Sequence, residues 1–457
     1  MSVLNTFVNK IRLSTIILYR IIIQNQFYNL FRNFVFRHRY DDLQNNYKIL
    51  LEKLKKKVIN GEKVKVAFYI WEISKWKNET IYRLLENDKR FDPYIVVVPF
   101  ASGAITGLDY LKNMHRVADF FIQTNHKVFF PYNEEKGLML SQRDAEELNP
   151  DILFQMNCWH EYGRFKQFGY RQNTHVLQAY VPYAWMISNR YWEHFNRDFH
   201  NVMWRIYYET PIHVEMAKKY SITKGCNAIA LGYPFLDRFF DKDYLPSDVW
   251  KLKERRIKRI IWAPHCFINE ENRCSNFLFI YDKMIELAVK YKDYIQIAFK
   301  PHPELEKKLD YGIPGWNKKR REDYYRKWKE MPNTMLCTGD YIDLFLTSDA
   351  MIHDCGSFTA EYTCTYKPVL FLESNPGVVD GWNECGKAIV NHLYRSKKGE
   401  KIEEFISQIV INGDDYMLKE RTSFINDYLK PKNKRGASVG IYEDLKMQLG
   451  IFDELHK

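Results

Sequence analysis

The sequence contains no pair of cysteines spaced as C-x-x-C, although eight cysteines are scattered over its 457 residues. Closely spaced pairs are typical of zinc sites, and dense cysteine frameworks are typical of small secreted domains. The scatter predicts neither kind of site and favours a reducing compartment. The acidic pair Asp241 and Asp243 stands alone, so we predict no metal ion and no cofactor apart from the substrate itself.

Acidic residues are absent from the first 40 positions, which hold more than half of the formal net charge of +11. Six basic side chains supply that charge: Lys10, Arg12, Arg20, Arg32, Arg37 and Arg39. The segment is rich in Ile, Leu and Phe, but Arg20 interrupts the run of about 20 uncharged residues that a spanning helix needs. No small-residue cleavage site follows, which argues against a secretory signal.

A basic, acid-free, aromatic-rich helix suits the surface of an anionic membrane. Residues 1–60 are therefore interpreted as a basic amphipathic segment, and the protein is expected in the cytoplasm at the inner face of the cell membrane. The alternative is a helix that packs on the protein's own surface or on another subunit. Nucleic acid is not expected as a partner, because no comparable basic stretch follows residue 40.

Beyond residue 60, short apolar strands alternate with helical stretches, which is typical of parallel sheets covered on both faces. The alternation runs over 61–239, pauses in a charged stretch at 240–258, and resumes over 259–400. We interpret 240–258 as a linker with a short helix and 401–457 as terminal helices. The predicted fold is α/β, with two Rossmann-like domains facing a cleft and an N-terminal helical extension.

Three polar motifs follow predicted strands of the second domain, where parallel α/β sheets bind ligands. They are Trp262-Ala-Pro-His265, Lys300-Pro-His-Pro303 and His353-Asp-Cys-Gly-Ser-Phe-Thr-Ala-Glu361. Lys300 and His302 offer cationic donors for a diphosphate. Alternatively, His302 caps a turn, and His265 is a buried histidine with satisfied hydrogen bonds.

The third motif is the best candidate for an anion site, because it leaves a strand and opens a helix. Gly356 would let the backbone approach a ligand, while Ser357 and Thr359 add hydroxyl donors. The alternative is that Ser357 only caps the helix. Since three motifs fall at equivalent strand ends, a phosphate-rich ligand is favoured.

Taken together, the motifs resemble the CDP-glycerol glycerophosphotransferase (teichoic-acid polymerase-like) family. The elements that carry the resemblance are Leu231-Gly-Tyr-Pro-Phe-Leu-Asp237, Ala263-Pro264, Lys300-Pro-His-Pro303, Ser348-Asp349, Asp354-x-x-Ser357-x-x-x-Glu361 and Lys367-Pro368. The resemblance covers roughly residues 60–400 and implies a GT-B fold in a membrane-peripheral enzyme. It would transfer glycerol phosphate from CDP-glycerol to a lipid-linked or polymer acceptor and release CMP.

By position, the resemblance implies that His302 contacts the donor diphosphate, Ser357 binds phosphate and Lys300 adds positive charge. Glu361 stands near the donor, where the family usually has Asp. The sequence departs from the family in two places. Gly356 replaces the first of two adjacent serines, and the stretch that matches a Trp-His-Gly element, Gln178–Trp185, has no histidine.

A hydroxyl nucleophile benefits from a general base, and the departure leaves its identity open. The candidates are His265 and His160, with a different residue or no base as the remaining alternatives. Tyr183 is a candidate for acceptor binding. The leading functional hypothesis is polyol-phosphate transfer to a capsular or teichoic-type polymer. The alternatives are a GT-B glycosyltransferase that uses a nucleotide sugar, and a catalytically silent binding homologue.

Overall fold

The computed structural model describes residues 26–99, 109–140, 148–158, 165–254, 256–268, 274–311, 313–354, 356–375 and 377–452. The chain forms two compact units. The first contains the chain up to Ala184, Arg190–Phe235 and the chain from Pro431 onward. The second contains Trp185–Asn189 and Leu236–Lys430.

The first unit is built on a seven-stranded parallel sheet with the order β3-β2-β1-β6-β7-β8-β9. Its strands are β1 (Val64–Ile70), β2 (Phe91–Val97), β3 (Val128–Phe129), β6 (Ile152–Gln155), β7 (Leu177–Tyr180), β8 (Arg205–Tyr208) and β9 (Ala228–Ala230). A separate antiparallel hairpin pairs β4 (Tyr132–Asn133) with β5 (Leu138–Met139). The central strands are buried on both faces, which explains their continuous apolar sequences.

Helices cover this sheet and alternate with its strands along the chain. They are α1 (Gln26–Ile59), α2 (Glu79–Glu86), α3 (Asp109–Gln123), α4 (Tyr191–Phe195), α5 (Asp198–Val202), α6 (Pro211–Tyr220) and, from the end of the chain, α16 (Ala437–Gln448).

The second unit is built on a six-stranded parallel sheet with the order β12-β11-β10-β13-β14-β15. Its strands are β10 (Lys258–Ala263), β11 (Ile295–Phe299), β12 (Thr334–Leu336), β13 (Ala350–His353), β14 (Val369–Glu373) and β15 (Tyr394–Lys397). The chain starts at the centre with β10, moves outward to β12, and returns to the other side of β10 with β13. The strand order therefore reverses between β10 and β13, as in a Rossmann sheet.

The helices of the second unit lie between these strands or after them. They are α7 (Asp237–Phe240), α8 (Phe277–Lys290), α9 (Pro303–Asp310), α10 (Lys318–Glu330), α11 (Ile342–Thr347), α12 (Gly356–Thr363), α13 (Glu384–Val390), α14 (Ile402–Glu404) and α15 (Leu418–Phe424). The helices α14 and α15 continue as π-helical turns over Phe405–Ile411 and Ile425–Leu429.

An aromatic core joins β10 and β11 to α8 and α10. The indole of Trp262 stacks on Phe299 with the ring centroids 4.8 Å apart, and it also contacts Phe277 and Trp328. Burial of each of these side chains stabilises the unit by about 2–3 kcal/mol before entropy is counted. The core fixes the ends of β10 and β11, from which the polar motifs emerge.

Helix α1 packs along the first unit through side chains spaced seven residues apart, Tyr40, Tyr47 and Leu54, all of which are buried. The hydroxyl of Tyr40 donates to Asp198 at 2.6 Å, and the guanidinium of Arg32 donates to the same carboxylate at 2.5 Å. This part of the N-terminal segment therefore packs on the protein's own surface, which was the alternative interpretation of the sequence. Residues 1–25 lie outside the described residues, and no helix that is described is long and apolar enough to cross a membrane.

The predicted α/β fold with two Rossmann-like parallel sheets is confirmed, and two details of the predicted organisation differ. Between Asp241 and Ile257 the described residues contain no helix. The segment predicted as one set of terminal helices, 401–457, divides at Pro431 between the two units. The short strands β3, β8, β12 and β15 were not predicted, because two to four residues carry too little periodicity to identify a strand.

Candidate functional site

The three sequence motifs meet at the carboxyl edge of the second sheet, where the strand order reverses. His265 follows β10, His302 follows the neighbouring strand β11, and Gly356 begins α12 just after β13. In open parallel sheets this reversal creates the crevice in which ligands bind. The three motifs, which were predicted to follow strands of the second domain, therefore lie at one edge of its sheet.

His265 is held by two hydrogen bonds that involve its own backbone and its ring. Its backbone N–H donates to Asp354 Oδ1 at 2.6 Å, and its ring Nδ1 accepts the backbone N–H of Phe267 at 3.2 Å. Burial, together with the neighbouring His302, lowers the pKa of His265 to about 4. The imidazole is therefore neutral near pH 7.

His302 is held in the same way, as the N-cap of α9. Its ring Nδ1 accepts the backbone N–H of Glu304 at 3.1 Å, and its own N–H donates to the carbonyl of Pro264 at 3.1 Å. The two imidazole centroids lie 5.0 Å apart. Burial lowers the pKa of His302, although the nearby Glu304 opposes that effect.

These contacts give His265 and His302 the same tautomer. A neutral imidazole has one lone pair, and in each ring that lone pair, on Nδ1, accepts a backbone N–H. The proton of each ring must then lie on Nε2, which makes both rings hydrogen-bond donors on the side away from the backbone. This arrangement suits donation to phosphate oxygens. A general-base role for His265 would require the N–H of Phe267 to release the ring.

Among the side chains that the structure describes, one group combines metal-ligating residue types at close range. The candidate ligand atoms of His265, Cys266 and His302 lie within 4.8 Å of one another. No sequence pattern indicated this group, because His302 is distant along the chain from His265 and Cys266. Its histidines are poorly prepared for a metal, since ligation through Nε2 would place a proton on each Nδ1, facing a backbone N–H.

The start of α12 contains the candidate anion-binding residues Gly356 and Ser357, which are both half-buried. A Cβ at Gly356 would lie 3.3 Å from Cδ1 of Ile187, so side-chain packing within the second unit is one reason for glycine here. Thr359 is fully buried, and its carbonyl accepts the hydroxyl of Thr363 at 2.6 Å. Of the two predicted hydroxyl donors, Ser357 is the more exposed.

The side chains of Lys300 and Glu361 both contact the loop before α11. The ammonium of Lys300 donates to the carbonyl of Gly339 at 2.9 Å and lies 5.3 Å from the ring centroid of Tyr341. The hydroxyl of Tyr341 donates to Glu361 Oε2 at 2.7 Å. These two predicted donor-binding residues therefore support a loop at the edge of the site, and Tyr341 is a site neighbour that no sequence motif indicated.

Asp354 is the residue whose importance the sequence least revealed, although it lies inside the third motif. It is 5% exposed, and burial raises its pKa to about 6 against the opposing hydrogen bonds from Asn276 and His265. Its position directly after a buried strand was visible in the sequence, but the partners that it joins are distant along the chain.

Other motif residues that carry the family resemblance lie at the opposite, amino-terminal edge of the sheet. Asp349 Oδ2 accepts the N–H of Arg259 at 2.7 Å, and Ser348 donates to the carbonyl of Phe345 at 2.8 Å. The ammonium of Lys367 donates to the carbonyls of Phe345 and Leu346, where α11 ends. These contacts are structural, so only part of the motif set surrounds the candidate site.

The candidates in the first domain stand apart from this site in the chain. Tyr183 follows β7 in the first unit, where the ammonium of Lys75 lies 3.8 Å from its ring centroid and Tyr233 donates to its carbonyl at 2.9 Å. His160 lies outside the described residues. Acceptor binding by Tyr183 and base catalysis by His160 both stay predictions.

Comparisons with known proteins support the fold. No protein-family model matches the sequence, and no curated protein matches it. Among solved structures, a UDP-N-acetylglucosamine 2-epimerase is similar with a TM-score of 0.52 and 16% identity, covering 86% of this chain and 98% of that one. The structure of S. aureus MnaA with UDP has a TM-score of 0.50 and 16% identity, with 85% and 98% covered.

The Neisseria meningitidis UDP-GlcNAc 2-epimerase bound to UDP-GlcNAc is similar to the same degree, with a TM-score of 0.50 and 14% identity. The match covers 84% of this chain and 100% of that one. At these identities the likeness establishes the architecture, which is that of GT-B proteins with two Rossmann-like domains.

Proposed function

We propose that this protein is a transferase that binds a nucleotide-diphosphate-activated donor at the carboxyl edge of its second sheet. The observation that carries the proposal is the pair of neutral imidazoles, His265 and His302, which are Nε2–H donors and follow two strands at the sheet edge where α12 begins. Diphosphate oxygens accept hydrogen bonds from such donors, and the helix terminus favours negative charge. These groups would stabilise the charge of a departing nucleotide.

Transfer of a sugar from a nucleotide-sugar donor is the first candidate reaction. It is supported by the fold, which this chain shares with proteins whose structures contain UDP or UDP-GlcNAc. An acceptor hydroxyl would lose its proton and form a bond to the anomeric carbon, while the bond from that carbon to the diphosphate would break and the nucleoside diphosphate would leave. The imidazole pair would donate to the diphosphate as its charge develops.

Transfer of glycerol phosphate or another polyol phosphate from a CDP-activated donor is the second candidate. It is supported by the sequence motifs that resemble the CDP-glycerol glycerophosphotransferase family. The acceptor hydroxyl of a capsular or teichoic-type polymer would attack phosphorus, and CMP would leave. The same donors would serve this reaction, so the two candidates differ in the reacting atom.

A release assay with a donor panel tests the proposal. Purified protein is incubated with CDP-glycerol, CDP-ribitol and several UDP- and GDP-sugars, each with a lipid-linked acceptor extract. Release of UDP or GDP would assign glycosyl transfer, and release of CMP from CDP-polyols alone would assign polyol-phosphate transfer. His302→Ala should abolish release, while His115→Ala, which replaces an exposed histidine of the first unit, should not.

Thermal melting in the presence of each nucleotide provides the independent measurement. A donor or its nucleotide should raise the melting temperature of the wild-type protein and of His115→Ala, but have a smaller effect on His302→Ala. The proposal fails if no member of the panel is consumed and none of the nucleotides changes the melting temperature.

We also propose that α1 brings the protein to the cytoplasmic membrane surface, where such acceptors are found. The start of the helix has large apolar side chains that are well exposed, Leu30, Phe31, Phe34 and Phe36. Arg37 and Arg39 lie beside them, and no acidic residue precedes position 41. Apolar side chains within a basic segment match an anionic lipid surface.

A further inference from the structure

We infer that Asp354 is a positioning residue, which holds the loop of His265 against the first turn of α8 and so sets where the imidazole presents its Nε2–H. The inference rests on the proposed nucleotide site and adds to it a residue that does not itself touch the donor. Three chain segments meet at this carboxylate, and a fourth is connected to it through Asn276.

The two carboxylate oxygens of Asp354 serve different segments. Oδ1 accepts the N–H of His265 at 2.6 Å, and Oδ2 accepts the N–H of Asn276 at 2.5 Å. His265 follows β10, Asn276 is the residue before α8, and Asp354 itself follows β13. The carboxylate therefore ties two segments to the end of a third.

Asn276 extends the connection to a fourth segment. Its side-chain Nδ2 donates to the carbonyl of Leu372 in β14 at 3.0 Å and approaches Oδ2 of Asp354 at 3.4 Å. Asn276 is fully buried, and Asp354 nearly so. Water does not compete for these bonds, so the position of the His265 loop depends on them.

Only a carboxylate supplies what this position requires. Two backbone N–H groups point at the side chain from different segments, and each needs an oxygen. An asparagine would offer one oxygen and turn an NH₂ group toward the other N–H. The ring of His265 is attached to the same backbone that Oδ1 holds, so a displaced loop would displace its Nε2.

A matched control lies on the same two strands at the opposite edge. Asp349 precedes β13, and its Oδ2 accepts the N–H of Arg259 in β10 at 2.7 Å. Asp349→Asn therefore makes the same substitution at a carboxylate that accepts a backbone N–H, away from the histidines. A comparison of the two variants therefore shows whether the loss of an aspartate affects the site itself or only the stability of the sheet.

The experiment compares the wild-type protein, Asp354→Asn and Asp349→Asn, with histidines labelled with ¹⁵N. Imidazole NMR reports the tautomer and surroundings of His265 and His302, and calorimetry measures the affinities for CDP and UDP. His392 serves as an internal reference for the opposite tautomer, because its Nδ1 donates to the carbonyl of Ala388 and its proton is therefore on Nδ1 rather than on Nε2.

In Asp354→Asn we expect the ring signals of His265 to shift and the nucleotide affinity to fall at least tenfold. In Asp349→Asn the ring signals should be unchanged and the affinity should stay within twofold of wild type. If Asp354→Asn does not fold, Asp354→Ser replaces it, because the smaller hydroxyl accepts one of the two N–H groups without crowding the other.

Two results would overturn the inference. One is a folded Asp354 variant with wild-type nucleotide affinity, and the other is a folded variant in which the His265 signals do not move. If the wild-type protein binds neither nucleotide, the proposed function fails, but the His265 signals still decide whether Asp354 positions the ring.

Discussion

At the scale of single residues, the hydrogen bond to Nδ1 is what distinguishes a donor histidine from a base. His265 and His302 each accept a backbone N–H from two residues further along the chain. That contact cannot be read from the sequence, because His followed by a turn is compatible with either ring nitrogen facing the backbone. Whether His265 acts as a general base or as a hydrogen-bond donor to the ligand therefore depends on this contact.

Substitution of His265 by glutamine tests this distinction. The side-chain Nε2 of glutamine replaces the imidazole N–H as a donor, but the amide cannot accept a proton. We expect His265→Gln to keep turnover within about tenfold of wild type and His265→Ala to lose considerably more. If His265 were the general base, both variants would lose a factor of about 10²–10⁴, and steady-state assays with the identified donor would show it.

A second prediction concerns Asp354 and the dependence of stability on pH. Burial raises its pKa from about 4 in the unfolded chain to about 6 in the folded protein. The favourable contribution of Asp354 to the free energy of unfolding is therefore fully present below pH 4 and is lost as the pH rises through 6. The neighbouring His265 is already neutral in this range, and Cys266 and Cys274 have raised thiol pKa values, so they do not titrate there.

The destabilisation caused by Asp354→Asn should consequently become smaller by about 1–2 kcal/mol between pH 5 and pH 8. Denaturant unfolding of wild type and variant at each pH measures the difference. A destabilisation that grows with pH would mean that the carboxylate is held ionised by its donors. The control Asp349→Asn corrects for titration elsewhere in the protein.

At the scale of elements, glycines show where two segments approach too closely for a side chain. Gly232, in the Leu231–Asp237 motif, has a φ of +103°. A Cβ there would lie 2.8 Å from Cγ of Pro431 and 3.0 Å from Cβ of Ala437, at the start of α16. The glycine of this motif is thus explained by a close approach to Pro431 and to the start of the last helix of the first unit, about 200 residues away.

Replacing Gly232 by alanine should destabilise the first unit by about 3 kcal/mol, since a left-handed backbone and an overpacked contact add. Gly61→Ala is the control, because Gly61 also has a positive φ, of +77°, but has open space around it. It should cost about 1 kcal/mol. Equal effects in thermal unfolding would show that Pro431 moves aside and that only the backbone matters.

Also at this scale, the sequence predicted strands well where they are central and long. Apolar runs such as Val64–Ile70 and Ile295–Phe299 are buried on both faces and needed no partner to be recognised. Short edge strands such as β12, with three residues, were missed because their pairing depends on a neighbour. The charged linker predicted a helix from local propensity, but its described residues between Asp241 and Ile257 form none.

At the scale of the whole molecule, each unit is assembled from segments that are not contiguous. Residues 185–189 belong to the second unit, although the chain on both sides belongs to the first. After Lys430 the chain returns to the first unit, where Tyr207 in β8 donates to Asp444 in α16 at 2.9 Å. Such exchanges leave no compositional boundary, so domain limits drawn from the sequence placed 401–457 in a single segment.

The proposed membrane surface also belongs to this scale, because it concerns the placement of the entire protein. Phe31 and Phe34 are 67% and 83% exposed near the start of α1. The double variant Phe31→Ser with Phe34→Ser should lose at least tenfold of its binding to anionic vesicles without a change in melting temperature. Vesicles that contain phosphatidylglycerol, analysed by sedimentation, provide the measurement.

Phe452→Ser is the matched control, since Phe452 is 78% exposed at the other end of the chain. It should bind the vesicles as wild type does. The proposal is wrong if the double variant also binds like wild type, or if neutral vesicles bind the wild-type protein equally well.

The sequence by itself determined the α/β alternation, the two parallel sheets and the three polar motifs at strand ends, because apolar periodicity and strand-end position are local properties. Only the tertiary structure decided which of those motif residues face the candidate site. His265, His302 and Ser357 lie at its edge, Lys300 and Glu361 hold a loop, and Asp349 and Lys367 support the opposite edge. The roles of these side chains depend on partners tens of residues away, and folding alone brings those partners together.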